Sequence, residues 1–274
     1  MTINCKGNLI DLSTPKIMGI LNLTPDSFYD GGKYKNESDV LNQVEKMINE
    51  GATFIDVGAY SSRPGAIHIS EEEELKRSVS IVNLISEKFP DTFISIDTFR
   101  SNVAKKNVEA GACIINDISA GSMDLKMMKT VAELQVPYIM MHMRGTPQSM
   151  QIKTDYQNVV KEILFYFSEK IAEASNHKIN DIIIDPGFGF GKTLEHNYDI
   201  LNKLDLFKIL ELPILIGVSR KSMIHKLLKI KSEEALNGTT CLNTIALVKG
   251  AKILRVHDVK EAMQCIKIIN QLIS

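Results

Sequence analysis

Eight short apolar runs punctuate the chain, near residues 16–22, 53–58, 92–97, 112–117, 137–142, 181–185, 213–218 and 252–256. They are continuous rather than alternating, as strands buried on both faces are. Helical spacing fills the gaps between them. Val40, Leu41, Val44, Met47 and Ile48 keep one face and stop before Gly51. Leu75, Val79, Val82 and Ile85 do the same after the box Ser70-x-x-Glu73. Val259, Ala262, Met263, Ile266, Ile269 and Leu272 mark a last helix, with Asp258 as its N-cap and Glu261 as the partner of that cap. Eight strand–helix alternations predict an α/β fold, a (β/α)8 TIM barrel whose active site lies at the C-terminal ends of the strands. A doubly wound sheet is the competing fold, but it would gather functional residues at one switch point.

Six of the eight runs end in a polar residue. Ile17–Leu21 leads to Asn22, Phe93–Ile96 to Asp97, Cys113–Ile115 to Asn116 and Asp181–Ile184 to Asp185. Ile214–Val218 leads to Ser219-Arg220-Lys221, and Ile253–Leu254 to Arg255-Val256-His257. Polar ends on the first run and on the eighth favour a closed barrel, with all of them on one rim. Three stretches read as longer loops over that rim: Thr24–Asn36, Tyr60–Ile69 and Met143–Lys153.

Composition narrows the function. The 274 residues are 44% apolar, and no linker or repeat divides them, so residues 1–274 are expected to form one domain. A net charge of -1 and the lack of Trp argue against nucleic acid. The four cysteines form no CxxC pair, which argues against a zinc or redox centre; Cys113 and Cys241 read as small core residues. No run approaches the roughly 20 apolar residues a bilayer requires, and the first residues show no apolar signal stretch. A cytoplasmic protein is expected.

The segment Asp185-Pro186-Gly187-Phe188-Gly189-Phe190-Gly191-Lys192-Thr193 suggests a phosphate loop but lacks its spacing. A Walker loop needs Gly at 186, which is Pro, and a dinucleotide fingerprint needs Gly at 192, which is Lys. It reads better as a turn that leaves Asp185 inside the mouth and Phe190 on its wall. Asp97 could cap the next helix, yet Thr98 or Ser101 could do so as well. Two apolar strands that each deliver a carboxylate are hard to explain by capping, because a buried carboxylate is costly without a partner. Paired carboxylates suit a ligand rich in N–H donors, or a cation formed during reaction. Asn116 can donate and accept, as a heterocycle edge requires.

Cations collect at three strand ends, in Ser61-Ser62-Arg63-Pro64-Gly65, Ser219-Arg220-Lys221 and Arg255-x-His257. Together they suggest a phosphate or diphosphate clamp. In an extended strand Arg255 and His257 share a face. His142 either faces the mouth or is a core histidine, whereas His68, His177, His196 and His225 read as surface. No paired-His spacing points to a protein-built zinc site. Glu71–Glu74 reads as the acidic first turn of a helix. Met140 could line a planar ligand.

These motifs resemble those of the dihydropteroate synthases, folate-pathway enzymes of the pterin-binding barrel family, nearly from end to end. The resemblance is carried by Met18-Gly19-Ile20-Leu21-Asn22-Leu23-Thr24-Pro25-Asp26-Ser27-Phe28, Ser62-Arg63-Pro64-Gly65, Ser95-Ile96-Asp97-Thr98 and Ile115-Asn116-Asp117. Met141-His142-Met143, the Asp185–Lys192 segment, Ser219-Arg220-Lys221-Ser222 and Arg255-Val256-His257-Asp258 complete it. It implies condensation of 6-hydroxymethyl-7,8-dihydropterin diphosphate with 4-aminobenzoate, a transferase reaction giving 7,8-dihydropteroate and diphosphate. It implies pterin contacts at Asp97, Asn116, Asp185 and Lys221 with Met140 nearby, and catalytic roles for Asp97, Asp185 and Lys221. Diphosphate contacts fall to Asn22, Arg63, Arg255 and His257, with Mg2+ near Asn22. Aminobenzoate contacts fall to Phe28, Ser62, Arg63, Pro64, Phe190, Lys221 and Ser222. The family also implies a homodimer. One departure stands out: the family's Gly-Gly-Glu-Ser-Thr-Arg-Pro-Gly is here Gly58-Ala59-Tyr60-Ser61-Ser62-Arg63-Pro64-Gly65. A pterin-binding methyltransferase of the same barrel family is the alternative, but it has no need of a diphosphate clamp. A catalytically silent pterin-binding protein is less consistent with intact motifs at every strand end.

Overall fold

Each apolar run becomes a strand because both of its faces are buried. The computed structural model describes residues 1–23, 37–62 and 68–273. Among them a parallel sheet of eight strands forms: β3 (Lys16–Asn22), β4 (Phe54–Gly58), β5 (Phe93–Asp97), β6 (Ile114–Asp117), β7 (Tyr138–Met141), β8 (Ile182–Asp185), β9 (Leu215–Ile216) and β10 (Ile253–Val256). Their order is β8-β7-β6-β5-β4-β3-β10-β9. A bridge between Ile184 and Ile214 joins the two ends, with the Ile184 amide donating to the Pro213 carbonyl at 3.0 Å. The result is the expected (β/α)8 barrel. The seventh predicted run, 213–218, shortens to Leu215–Ile216, since Pro213 has no amide to donate and Gly217 weakens a strand.

Helices surround the sheet: α1 (Glu37–Asn49), α2 (Glu71–Lys88), α3 (Ser101–Glu109), α4 (Met127–Leu134), α5 (Val159–Asn176), α6 (Leu194–Asn202), α7 (Ser222–Leu228), α8 (Leu236–Val248) and α9 (Val259–Ile273). Successive strand side chains point to opposite faces, so each strand feeds two cores. Ile17, Leu21, Ile55, Val57 and Ile96 pack outward with Val44, Val82, Ile163 and Ile266 of the helices. Met18, Phe54, Ile114, Ile139, Ile183, Leu215 and Ile253 form a second cluster. That inner cluster is closed by Ile3, Cys5 and Leu12. The first two of these belong to a hairpin with no counterpart among the predicted runs, β1 (Thr2–Cys5) and β2 (Asn8–Asp11). Its turn, Lys6 and Gly7, takes φ of 52° and 81°, the pairing a tight hairpin requires. No helix is long and apolar enough to cross a membrane among the described residues.

One local expectation holds and several change. Ser70 caps α2 by accepting from the Glu73 amide at 3.2 Å. Neither Thr98 nor Ser101 caps α3; the Ser101 amide donates to Asp124 at 2.7 Å. Asp258 sits just before α9, but both its oxygens accept from Arg220, at 2.9 and 2.6 Å. His196, read as surface, forms a reciprocal cap with Thr193 at the start of α6. Cys241 is exposed, not core, because it falls on the solvent side of α8 despite apolar neighbours.

Candidate active site

Strand register assembles one wall of the site. Asn22 pairs with Gly58, Gly58 with Asp97, and Asp97 with Asn116, across four adjacent strands. Gly58 leaves a gap in this row: a Cβ there would lie 3.6 Å from Asn22 Oδ1 and 3.7 Å from Asp97 Oδ2. One inward-facing position below Gly58 is Asp56, fully buried. Its Oδ2 accepts from Asn116 Nδ2 at 3.0 Å and from Arg255 Nε at 2.6 Å. Arg255 Nη2 also donates to Asp97 Oδ2 at 2.7 Å. The last strand therefore reaches across the cup to β4 and β5.

The opposite wall comes from β8 and α7. Asp185 is buried, and its Oδ1 accepts from the Gly187 amide at 2.7 Å. Lys221, the residue preceding α7, donates from Nζ to the Phe188 carbonyl at 2.5 Å. The same Nζ lies 4.8 Å from the centre of the Phe190 ring. A Cβ on Gly217 would be 3.9 Å from Arg255 Cβ and 4.0 Å from Lys221 Nζ. That glycine keeps the space between the two cations open. Asn116, Arg255 and Lys221 thus gather around one cup.

Burial sets the electrostatics. It pushes Asp97 up to about 7, outweighing the pull of Arg255, while Asp56, Glu74 and Asp117 add repulsion. It raises Asp185 as well, against the attraction of Lys221. It lowers Lys221 to about 8, against Asp185. Burial also opposes the charge of Arg255, but Asp56 and Asp97 outweigh it and raise its pKa further. Both carboxylates are raised because a low-dielectric mouth penalises their charge.

The placement of the predicted residues is uneven. Asn22, Asp97, Asn116, Asp185, Lys221, Arg255 and Phe190 stand at the cup. Ser62 is half-buried beside β4, and Ser222 is exposed at the first turn of α7. Phe28, Arg63 and Pro64 lie outside the described residues. Met140 is corrected: strand alternation sends it into the outer core with Phe167 and Val131, whereas Met141 joins Tyr60, Phe99 and Met143 in a cluster at the mouth. His257 does not extend the strand face of Arg255, because β10 ends at Val256; its Nδ1 meets Ser219 Oγ at 3.0 Å. His142 is a core histidine, buried and held by Lys192. Asp56 escaped the sequence reading. Its signal was a carboxylate in the middle of the apolar run Phe54-Ile55-Asp56-Val57.

Among the described residues no three His, Cys, Asp or Glu side chains are grouped to hold a metal. Asn22 offers one neutral oxygen at the rim, which fits an ion such as Mg2+ that keeps several waters and takes its other ligands from phosphate.

Residues 18–257 match the family model for pterin binding enzymes. The chain is 43% identical to dihydropteroate synthase of Escherichia coli, over all of this chain and 97% of that one. The solved dihydropteroate synthase of Yersinia pestis, in a sulfonamide drug complex, superposes with a TM-score of 0.95 at 40% identity, covering 99% of each chain. That of Xanthomonas albilineans, with 4-aminobenzoic acid, does so with a TM-score of 0.92 at 34% identity, over 100% of this chain and 98% of the other. With a family model matched over residues 18–257 and relatives of this identity along the whole chain, the chain belongs to the dihydropteroate synthases of the pterin-binding enzyme family.

Proposed function

We propose that the cup holds the pterin ring of 6-hydroxymethyl-7,8-dihydropterin diphosphate while 4-aminobenzoate attacks beside Phe190 and Lys221. The products are 7,8-dihydropteroate and diphosphate. The observation that carries this reading is the meeting of Asn116 and Arg255 on the buried Asp56, with Asp97 on the same guanidinium and Asp185 and Lys221 opposite. A bicyclic guest with N–H donors and a carbonyl matches carboxylates, an amide and a lysine in one small volume. Met141, rather than Met140, would pack against its face.

Bond breaking at the pterin methylene expels an anionic diphosphate and leaves a cation delocalised over the ring. Asp97 and Asp185 would stabilise that cation in a mouth poor in water. Arg255, Arg63 and His257 would bind the departing phosphates. Asn22 would hold Mg2+, which supplies further positive charge to the leaving group. The aromatic amine is a neutral nucleophile and needs no strong base. Incubation with both substrates should release diphosphate and form dihydropteroate. Diphosphate release without aminobenzoate consumption would refute the transferase reading, and methyl transfer from a methyl-folate would favour the alternative.

A pH dependence follows. Asp97 must be charged to stabilise the cation, so kcat/KM for the pterin diphosphate should rise as pH passes about 7. Lys221 must keep its proton to donate, so the value should fall as pH passes about 8. A profile with no fall below about pH 6 and none above about pH 9 would count against both roles.

Residues 1–274 would act as one domain, supported by an outer core running from Ile17 to Ile269; two stable fragments on limited proteolysis would contradict it. A homodimer is supported by exposed apolar side chains on neighbouring helices, Leu227 of α7, Ile245 and Val248 of α8 and Ile268 of α9. A sedimentation mass of one chain would refute it. The free state of all four cysteines agrees with a reducing cytoplasm.

A further inference from the structure

We propose that Lys192 is a positioning residue for the aminobenzoate step, fixing from behind the turn that carries Phe190 and the carbonyl gripping Lys221. The inference rests on the reading of the cup given above. Lys192 is 5% exposed, yet among the described residues no carboxylate forms an ion pair with it. Its Nζ instead meets the Gly187 carbonyl at 2.8 Å, the Phe190 carbonyl at 3.0 Å, the His142 carbonyl at 3.2 Å and His142 Nδ1 at 3.0 Å. A buried amine without an ion pair is costly. Burial accordingly drives its pKa well below the ordinary lysine value, with Asp185 pulling the other way. What this residue does with its hydrogen bonds is to tie one turn to one strand.

That turn is tight and closely docked. Gly187 takes a φ of +72°, and a Cβ there would lie 2.0 Å from the His142 carbonyl. The Phe190 amide donates to the Gly187 carbonyl at 3.1 Å, so Lys192 closes the loop by gripping both of its ends. The groups facing the cup alternate with those that Lys192 holds. Asp185 Oδ1 takes the Gly187 amide, the Phe188 carbonyl takes Lys221, and the Phe190 ring lies under Lys221. Lys192 itself points away, toward the end of β7, where the His142 ring packs edge-on against Tyr166 at 4.8 Å. Asp185 is anchored independently by its strand, and Gly189 by the Asn197 side chain at 2.7 Å. Phe190 is the cup residue whose own carbonyl Lys192 grips. The loss of Lys192 should therefore loosen the aminobenzoate wall before it loosens the pterin site.

The test is steady-state kinetics of Lys192→Met, which keeps the length of the side chain and removes its donors. KM for 4-aminobenzoate should rise about tenfold or more, because a displacement on the order of 1 Å is enough to spoil alignment. KM for the pterin diphosphate should stay within about twofold. Equal rises in both KM values, or a lower melting temperature with both unchanged, would overturn the proposal. Lys192→Gln keeps amide donors within the turn and should give an intermediate KM for aminobenzoate. If that variant matches wild type, or if neither variant folds, the role is structural and the proposal fails. Wild-type protein that forms no dihydropteroate sinks the reaction itself; wild-type turnover without the KM split sinks only Lys192.

Discussion

Asp185→Asn is expected to lower kcat/KM for the pterin diphosphate by roughly 100-fold, about 3 kcal/mol of transition-state stabilisation. The substitution preserves shape. Its amide oxygen can still take the Gly187 amide, as Oδ1 does now at 2.7 Å. What disappears is the negative charge facing Lys221, the charge proposed to stabilise the cation as it forms. A preorganised charge is worth most where water is excluded, and Asp185 is only 6% exposed. KM for 4-aminobenzoate should change far less, because the proposed place for that ring is beside Phe190, five residues along the turn from Asp185. Thermal unfolding should stay close to wild type, separating a catalytic loss from a folding loss. Unchanged kinetics would remove Asp185 from the mechanism.

Arg255→Ala is expected to cost both binding and stability. Its guanidinium holds Asp56 at 2.6 Å and Asp97 at 2.7 Å, and Asp56 has no exposure at all. Removing one side of a buried pair costs about 3–5 kcal/mol, because a charge is left uncompensated. Arg255 and Asp97 each keep about a fifth of their side-chain surface open to the mouth, so the lower end of that range applies here. A melting temperature lower by roughly 6–10 °C follows for a chain of this size. Affinity for the pterin diphosphate should fall further than affinity for aminobenzoate, which does not need the clamp. The double variant Arg255→Ala with Asp56→Asn should recover part of the lost stability, since it neutralises the orphaned carboxylate. Equal loss for the two ligands would count against the clamp, and an unshifted melting curve would show that Arg255 does not tie the last strand to β4 and β5.

The strands were legible because parallel strands buried on both faces leave continuous apolar runs that end at a wet rim. Asn22, Asp97, Asn116 and Asp185 could therefore be picked out as the first polar residue past each run. Side-chain direction was harder. Met140 and Met141 are adjacent and equally apolar, and only strand register separates the residue in the outer core from the residue at the mouth. Arg255 and His257 share a face only if the strand continues, and it stops between them. Asp56 sits inside a run instead of beyond it, where a carboxylate has meaning only once Asn116 and Arg255 arrive from other strands. The amino-terminal hairpin was missed for a related reason: its inward residues, Ile3 and Cys5, are too few to make a run, and their partners lie on the barrel floor.

The barrel's circumference is least securely fastened where Ile184 meets Ile214. Asp185 lies at one edge of that join, and Lys221 follows the strand at the other. A substrate gripped by both would serve as a clasp, doing for the sheet what a longer β9 would otherwise do. By mass action, a ligand at a hundred times its dissociation constant adds about 2.7 kcal/mol to the folded state. Here that gain would be concentrated along one line of the wall. Metabolite supply would then govern how long each copy survives proteases as well as how fast it turns over.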